Sequence, residues 1–564
     1  MDKKKSMFTV QKVTDGFVGL PTQKRDCYQF VRNYIVSQEK ETKICALYGL
    51  RRTGKTFLMQ QVAQNLPENL KGKALFITCN LGTDFYDVQA YINSSMEKGY
   101  RIFFVDEITY ADGFQRIGEV LSDFYVGVKG ARIVVAGTDS LGLSLVSRNF
   151  MYDRIKFVHT TYTSFPEYSR LTGCLSIDDY IRYGSTLAVD VFSTHKSAME
   201  YVEYAIVDNM LNSLDKSEGI SRYKLQLTEL YAENELKDTI ERIINKFSQR
   251  ISAKAVKRQF SSSMLSSSVD LIIRNKDNPD PGIKDFVDFN VVNAKIASSL
   301  GILPNNKVSV VISDEHIKEI FEFLKDMDVF TKISVYSSFA HGKRVKDLDI
   351  ITHPGMYHAN IKYTLDTLKQ NTSWFPGASN DQIERVLDGC LTWAEGQILE
   401  NVVLKDVSFM LCYGKQVDTS QDSFNNSARW YVSKLDWEDA NDKSQHEIDM
   451  IIFDKDRKDV YLFEVKHSSQ FTPEQENHLR CKSFMDYIRS DFGDIKYKAV
   501  LFLGDTDFNH AIPRIKVEDF LIGMYQDIKR NGSDYTPLVT LDSLKKRFER
   551  NQPWNPSDDG DQGY

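Results

Sequence analysis

A phosphate-binding loop pattern is the feature that most constrains this chain. Residues 49–56 read Gly-Leu-Arg-Arg-Thr-Gly-Lys-Thr, which matches G-x-x-x-x-G-K-[ST] at every fixed position. The apolar run at residues 44–48 predicts a buried strand before the loop, and the residues from Phe57 onward predict a helix after it. A strand, a glycine turn and a helix N-terminus together surround a phosphate with backbone N–H groups. The chain is therefore predicted to contain a nucleotide-binding parallel α/β sheet.

Each residue of the loop has a predicted role in binding ATP with Mg²⁺. Lys55 is predicted to contact the β- and γ-phosphates, and the Thr56 hydroxyl is predicted to ligate Mg²⁺. The candidate cofactor-binding residues are Gly49, Leu50, Arg51, Arg52, Thr53, Gly54, Lys55, Thr56, Phe57 and Asp106. ATP and Mg²⁺ are the predicted cofactors.

A second apolar run ends in two acidic residues, as a Walker B strand does. Residues 101–107 read Arg-Ile-Phe-Phe-Val-Asp-Glu. Asp106 is predicted to hold Mg²⁺ through water, and Glu107 is predicted to orient or deprotonate the attacking water. A third apolar run at residues 131–137 leads to Thr138. Thr138 either senses the γ-phosphate or makes only the local hydrogen bonds of a turn.

Composition limits the classes of protein to which this chain can belong. A length of 564 residues is too great for one core and predicts several domains. The net charge of −7 gives no global attraction to nucleic acid, so DNA binding would need a local basic patch. The seven cysteines form no C-x-x-C pair, which predicts reduced thiols and a cytoplasmic location. No apolar run is long enough to cross a membrane, and the N-terminus lacks a secretory signal.

A second group of acidic residues with a lysine lies near the C-terminus. Residues 447–453 and 460–466 predict two paired strands, and Glu464 and Lys466 project to one face of the second strand. Asp449 can reach the same corner, and a helix around residue 400 can add Glu400. Such a group can bind a divalent cation and activate water for attack on a phosphodiester. The alternative is an exposed Glu-Lys pair on a strand, with Asp449 an ordinary strand-end acid.

The order Glu400, Asp449, Glu464-x-Lys466 resembles the PD-(D/E)xK nuclease superfamily over residues 385–510. With the phosphate loop and the Walker B strand, the chain as a whole resembles the archaeal-type AAA ATPases. Members of that group commonly join an AAA+-like ATPase to a winged helix and a PD-(D/E)xK-like domain. The resemblance implies a multidomain α/β fold with five parts: an AAA+-like P-loop ATPase (1–190), a helical lid or linker (191–300), a winged-helix-like domain (301–385), a nuclease-like domain (386–525), and a C-terminal helix and tail (526–564).

The resemblance also assigns roles beyond the two motifs. Arg148 and Arg154 match the place of arginine fingers, which act on the nucleotide of a neighbouring subunit and so imply a homo-oligomer. Roles in surface salt bridges explain the two residues equally well. Residues 180–184 read Tyr-Ile-Arg-Tyr-Gly and resemble a Tyr-Ile/Leu-x-x-Gly-Gly element of the family. Ser185 replaces the second glycine, which puts the geometry of that loop in question.

Two functions remain open from the sequence. In the first, ATP binding and hydrolysis control a metal-dependent DNA nuclease with Asp449, Glu464 and Lys466 as catalytic residues and Glu400 as a further metal ligand. In the second, the ATPase is a nucleotide-controlled switch or scaffold whose C-terminal domain binds DNA or a partner without cleaving. The intact acids and lysine favour the first function. The acidic net charge and the lack of an obvious basic stripe favour the second.

Overall fold

The computed structural model describes most of the chain. The described residues are 8–40, 42–114, 126–127, 129–137, 155–208, 230, 236–241, 243–245, 291, 294–295, 314–339, 342–370, 379–413 and 429–550.

The first sheet has six strands in the order β1-β3-β4-β5-β2-β6. All neighbouring strands are parallel except β1, which pairs antiparallel with β3. The strands are β1 (Phe8–Lys12), β2 (Ile44–Tyr48), β3 (Ala74–Cys79), β4 (Ile102–Asp106), β5 (Arg132–Ala136) and β6 (Ile155–His159). Strands β2 and β4 are buried along their whole length, which explains why they read as continuous apolar runs. The predicted parallel sheet is confirmed.

Helices cover both faces of this sheet and then lead away from it. Residues of α1 and α2 pack on one face and residues of α4 pack on the other, each in its own apolar cluster. The helices of this half are α1 (Tyr28–Val36), α2 (Lys55–Gln64), α3 (Glu68–Lys71), α4 (Phe85–Glu97), α5 (Phe165–Thr172), α6 (Ile177–Tyr183) and α7 (His195–Val202). A π-helical segment, Glu203–Val207, extends α7.

The second sheet is mixed and has seven strands in the order β13-β12-β11-β10-β9-β7-β8. Its strands are β7 (Phe330–Phe339), β8 (Gly342–Ile351), β9 (Trp430–Glu438), β10 (Gln445–Asp454), β11 (Asp459–Lys466), β12 (Asp494–Phe502) and β13 (Arg514–Lys516). Its helices are α8 (Asp314–Asp326), α9 (Pro354–Gln370), α10 (Asn380–Tyr413), α11 (Asn477–Arg480), α12 (Lys482–Asp491), α13 (Val517–Asn531) and α14 (Pro537–Glu549). Two separate apolar clusters fill its faces, with α10 on one face and α12 on the other.

The predicted winged-helix-like domain at 301–385 does not stand apart from the residues that follow it. The α8 and α9 helices and the strand at residues 349–351 are present, but the β7–β8 hairpin joins the second sheet through parallel pairing of β7 with β9. That pairing matches Val335 to Lys434, nearly a hundred residues away. A local pattern cannot indicate such a distant partner.

Two helices also run across predicted domain boundaries. Helix α10 passes through the boundary at 385/386, and α13 passes through the one at 525/526. Most of the predicted lid at 191–300, and the tail from residue 551, lie outside the described residues. One apolar cluster links the two sheets, because it contains Phe165 and Tyr180 from the first half as well as Val403 and Phe463 from the second. Both functional sites are therefore attached to one continuous core.

Candidate functional site

The phosphate loop connects the buried strand β2 to the N-terminus of α2, as its pattern predicts. Gly49 has a φ of +144°, and a Cβ atom there would lie 2.6 Å from Thr160 Oγ1 and 2.7 Å from the Thr161 nitrogen. Gly54 has a φ of +84° and precedes the first residue of the helix. Both positions need glycine, the first for lack of space and the second for its left-handed backbone.

Lys55 lies inside the loop, and its ammonium group donates to two loop carbonyl oxygens. The Nζ atom is 2.7 Å from the Gly49 oxygen and 2.9 Å from the Leu50 oxygen. Burial lowers the pKa of Lys55 to about 8, although Glu107 and Asp106 oppose this effect. A buried cation whose positive charge is costly favours an anionic ligand. The loop is thus suited to a polyphosphate.

Asp106 ends β4 beside the loop, where it accepts a hydrogen bond from the Thr56 side chain. Burial and the neighbouring Glu107 raise the pKa of Asp106 to about 6. A hydroxyl and a carboxylate in contact are a donor set that suits Mg²⁺, which prefers oxygen ligands. Glu107 follows with a φ of +53°, a left-handed conformation that turns the chain sharply at the end of the strand. These positions fit the predicted Walker B roles.

The remaining loop residues are held by their surroundings. The Leu50 nitrogen donates to Thr161 Oγ1 at 3.1 Å. The Thr53 hydroxyl donates to the Leu50 oxygen at 2.9 Å. Arg51 donates to the Tyr110 hydroxyl. Arg52 has a φ of +63°, and Phe57 is 48% exposed.

A buried ion pair supports the loop from behind, and sequence reasoning did not identify it. Arg25 Nε lies 2.6 Å from Glu167 Oε1, and both side chains are almost fully buried. Arg25 also donates to the carbonyl oxygens of Thr53, Thr160 and Tyr162. Glu167 lies in the first turn of α5. Its position three residues after the N-cap Ser164 was a visible signal for the helix start, but not for the partner.

The second candidate site lies where β10 and β11 separate, and we call it the acid corner: Glu400, Glu447, Asp449, Glu464 and Lys466. Met450 and Phe463 are the last paired residues on that side. Beyond them a bulge in β10 turns Asp449 toward β11, where Oδ2 accepts the Val465 N–H at 2.7 Å. Glu400, Glu447 and Asp449 each offer an oxygen within 4.8 Å of the others. Three carboxylates at this spacing can hold a divalent cation.

Two lysines neutralise the acid corner. Lys466 Nζ is 2.8 Å from Asp449 Oδ2 and 2.5 Å from Glu464 Oε2. Lys434 Nζ is 2.6 Å from Glu400 Oε2. Burial works against the charge of Lys466, but Asp449 and Glu464 outweigh it and hold the Lys466 pKa above its usual value. Lys466 therefore stays protonated and acts by charge, not as a base.

The carboxylates differ in their readiness to ionise. Burial opposes ionisation of Asp449, yet Lys466 and Lys434 hold the Asp449 pKa below its usual value. Burial and Asp449 raise the pKa of Glu464 well above its usual value. Burial and Asp449 also raise the pKa of Glu400, to about 7. Asp449 is thus the carboxylate that stays ionised, and the other two hold protons more tightly.

The structure brings together the four residues that the sequence singled out for the second site. The group of acids spaced to hold a metal ion differs in one member from the predicted set, because Glu447 joins Glu400 and Asp449 while Glu464 contacts Lys466. Glu464 Oε1 is buried without a hydrogen-bond partner, so one of its oxygens remains available. Glu447 lies two residues before Asp449, and this i, i+2 spacing on a strand was a signal that could have identified it.

Some predicted residues cannot be placed. Thr138, Arg148 and Arg154 lie outside the described residues. Ser185 adopts a φ of +85°, in the backbone region that favours glycine, and its hydroxyl lies 2.6 Å from His353 Nδ1. The loop therefore keeps a glycine-like backbone, stabilised by this buried contact.

A buried polar cluster connects the phosphate loop to the helix that carries Glu400. Thr160 and Thr161 contact the loop, and Thr161 Oγ1 also donates to Asp328 Oδ2 at 2.8 Å. Nearby, the Tyr162 hydroxyl and the Phe165 N–H donate to the carboxylate of Asp406 on α10. Asp406 is six residues beyond Glu400 on the same helix, which is about 9 Å at 1.5 Å per residue.

Comparison with known proteins agrees with the geometry of the first site. Residues 41–169 match the family model described as an AAA domain. This segment is AAA-like. Because it also carries the loop, Asp106 and Glu107, we refer to residues 41–169 as the ATPase domain. Nucleotide binding and hydrolysis are the activities that this match supports.

Solved structures add only distant similarities. The Walker-type ATPase PABY2304 of Pyrococcus abyssi is 12% identical, with 61% of this chain and 99% of that chain covered and a TM-score of 0.31. S. cerevisiae Hsp104 in complex with ADP is 10% identical, with 74% of this chain and 56% of that chain covered and a TM-score of 0.25. No curated protein matches the chain. Among the described helices, none is long and apolar enough to span a bilayer.

Proposed function

We propose that the ATPase domain controls a metal-dependent hydrolysis of DNA phosphodiesters at the acid corner. The observation that carries this proposal is the convergence of Glu400, Glu447 and Asp449 within 4.8 Å beside the protonated Lys466. Strand β10 supplies two of these carboxylates and helix α10 supplies the third. An incidental surface pair would not gather residues from two separate elements around partly buried oxygens.

The donor set of the acid corner suits Mg²⁺. All candidate ligands are carboxylate oxygens, which hard divalent cations prefer. Asp449 is ionised, and the buried Glu464 Oε1 atom lacks a hydrogen-bond partner among the described residues. A bound Mg²⁺ would polarise a phosphoryl oxygen and lower the pKa of a bound water. Lys466 would stabilise the negative charge that develops on the phosphate.

The contacts between the two sites support control by nucleotide. Phosphate binding would take the Lys55 ammonium from the Gly49 and Leu50 carbonyls and rearrange the loop. This rearrangement would move Thr160 and Thr161, because both contact the loop and Thr161 also contacts Asp328. Through Asp328 and Asp406 it would reach the second sheet and α10, on which Glu400 lies. A packed route of this kind is what a two-state device needs.

The alternative is a nucleotide-controlled switch that binds DNA or a partner without cleaving. One observation favours it: Lys434 and Lys466 already neutralise the carboxylates, so the acid corner is stable without a metal. Arg148 and Arg154, which would act on a neighbouring subunit, cannot decide between the two functions because they lie outside the described residues.

A cleavage assay on the full chain tests the proposal. Linear and supercoiled DNA would be incubated with Mg²⁺ or Mn²⁺, with and without ATP. We expect cutting that Lys466→Ala abolishes while ATP hydrolysis continues, since Lys466 belongs to the acid corner alone. Lys496→Ala is the matched control, because Lys496 pairs with Asp459 at the opposite end of β11. Metal-independent cutting, or equal loss in both variants, would contradict the proposal.

A further inference from the structure

The outer half of the β7–β8 hairpin carries a row of basic side chains at the edge of the second sheet. Strand β8 forms this edge, and its residues from Gly342 through Leu348 are exposed. Within this stretch lie Lys343, Arg344 and Lys346. An exposed edge strand often carries charges simply to prevent pairing with another sheet. The question is whether these charges do more than that.

The basic side chains divide between the two faces of the sheet. Lys343 pairs with Asp491 of α12, and the Tyr336 hydroxyl donates to the same carboxylate, so these two lie on the α12 face. Because side chains alternate along a strand, Arg344 and Lys346 lie on the opposite face. On that opposite face Lys434 contacts Glu400 of α10.

Interactions on β9 support this placement. The Ser337 hydroxyl donates to Asp436 Oδ2 at 3.3 Å, which puts Ser337 and Asp436 on one side of the sheet. Burial raises the pKa of Asp436, while Ser337, Lys434 and Lys346 oppose the rise. Lys346 is therefore close enough to act on Asp436.

Strand register connects these basic residues to the acid corner. In one row across the sheet, Lys346 pairs with Val335, and Val335 pairs with Lys434. In the next row, Ser337 pairs with both Arg344 and Asp436, and Asp436 pairs with Glu447. Three strand spacings separate β8 from β10, or about 14 Å.

The side chains of Arg344 and Lys346 also differ from those of their neighbours. Lys343 pairs with Asp491, and Lys332 on β7 lies 3.4 Å from Asp347. Within the part of the chain that the structure describes, the side chains of Arg344 and Lys346 make neither a close ion pair nor a hydrogen bond, and Lys346 acts on Asp436 only at longer range. Charges that only prevent β8 from pairing with another sheet could lie on either face. Arg344 and Lys346 lie on the same face as the acid corner.

We propose that Arg344 and Lys346 contact the backbone phosphates of DNA on one side of the phosphodiester held at the acid corner. This inference rests on the proposed function. A separation of about 14 Å corresponds to about four nucleotides at 3.4 Å per nucleotide along a strand of duplex DNA. The chain is acidic overall, so this local pair of cations supplies the patch that DNA binding needs.

The salt dependence of DNA binding tests the inference. All measurements use the full chain with Lys466→Ala and a short duplex in Mg²⁺, so that binding is measured without cutting. The negative slope of log K for DNA binding against log salt concentration should become shallower by about 1.8 in the variant with both Arg344→Gln and Lys346→Gln. Each phosphate contact contributes about 0.9 to the size of this slope. Lys332→Gln with Lys343→Gln removes the same charge from the opposite face and should leave the slope unchanged. Equal changes in both pairs, or no change in either, would overturn the inference.

A parallel cleavage assay separates failure of this inference from failure of the proposed function. One outcome is that the chain with Lys466 intact cuts DNA while the Arg344 and Lys346 substitutions leave the slope unchanged in the binding assay. That result would contradict the inference but not the proposed function. If the chain neither binds nor cuts DNA, the proposed function is wrong and the inference is wrong with it. ATP hydrolysis by the Arg344 and Lys346 variant should equal that of the parent chain, since both residues are exposed on the edge strand of the second sheet and the phosphate loop follows a strand of the first sheet.

Discussion

Replacing Lys466 by methionine should destabilise the second sheet in a way that depends on pH and on divalent metal. The Lys466 ammonium is 2.8 Å from Asp449 and 2.5 Å from Glu464. The two carboxylate side chains are 5% and 2% exposed, so water cannot replace the lost cation. Methionine keeps most of the side-chain volume, and the change therefore removes charge more than packing.

The size of the effect follows from these burials. Removing one partner of a buried ion pair costs about 3–5 kcal/mol. Lys466 is itself 28% exposed, which places the loss near the lower end, at about 3 kcal/mol. A loss of about 3 kcal/mol lowers the melting temperature of a domain of about 150–250 residues by roughly 6–12 °C.

The pH dependence has a definite sign. In the parent chain the folded-state pKa of Asp449 is lowered, so its contribution to stability is present above the unfolded value and is lost as the pH falls. In the Lys466→Met chain the carboxylates lack their cation, so burying their negative charge costs free energy. Protonation of the carboxylates removes this cost. The difference between the two chains should therefore be largest near pH 8 and should shrink toward pH 4.

Tryptophan fluorescence can follow this unfolding transition, because Trp393 lies on α10 and Trp430 and Trp437 lie on β9. Melting temperatures would be compared at pH 8 and pH 5, with and without Mg²⁺. Mg²⁺ should stabilise Lys466→Met more than the parent chain, since it supplies positive charge to the same carboxylates. Lys496→Met is the control for loss of a lysine from the same sheet. If both variants shift equally at both pH values, the assigned charge arrangement of the acid corner is wrong.

Further predictions concern the ATPase domain and its contact with the second half of the chain. Lys55→Ala should abolish ATP hydrolysis, whereas Glu107→Gln should keep ATP binding and stop turnover, which paired binding and phosphate-release assays would measure. Mg-ATP affinity should fall up to about tenfold for each pH unit below about 6, where Asp106 takes up a proton, and Asp106→Asn should remove this pH dependence in a calorimetric titration. Asp328→Asn keeps a residue that tolerates the left-handed backbone but removes the charged acceptor of Thr161. It should reduce the effect of ATP on DNA cutting about fivefold or more without loss of ATP hydrolysis, and unchanged coupling would exclude this route.

The parts of the two sites that the sequence predicted are those set by local geometry. The loop pattern fixes its own conformation through Gly49 and Gly54, so its flanking strand and helix could be predicted from neighbouring residues. The Glu464 and Lys466 pairing follows from the alternation of a strand in the same way. Asp449 was predicted from its place near the start of the neighbouring strand and Glu400 from a helix around residue 400, and the structure places both in the same corner.

The parts that could not be predicted depend on distant partners. The Arg25–Glu167 ion pair joins residues that are 142 positions apart. The residues around Glu167 give no indication that Arg25 is its partner. The pairing of β7 with β9 moved a hairpin from a supposed separate domain into the second sheet.

The most direct test of the whole account is the rate of DNA cleavage in Mg²⁺ with and without ATP, for the parent chain and for Lys55→Ala. The account predicts that ATP changes the rate for the parent chain and leaves the rate unchanged for Lys55→Ala, because only the parent can transmit phosphate binding from the loop to Glu400. A parent chain that cuts DNA at one rate whatever the nucleotide would contradict the coupling. A parent chain that never cuts DNA would contradict the assignment of the acid corner.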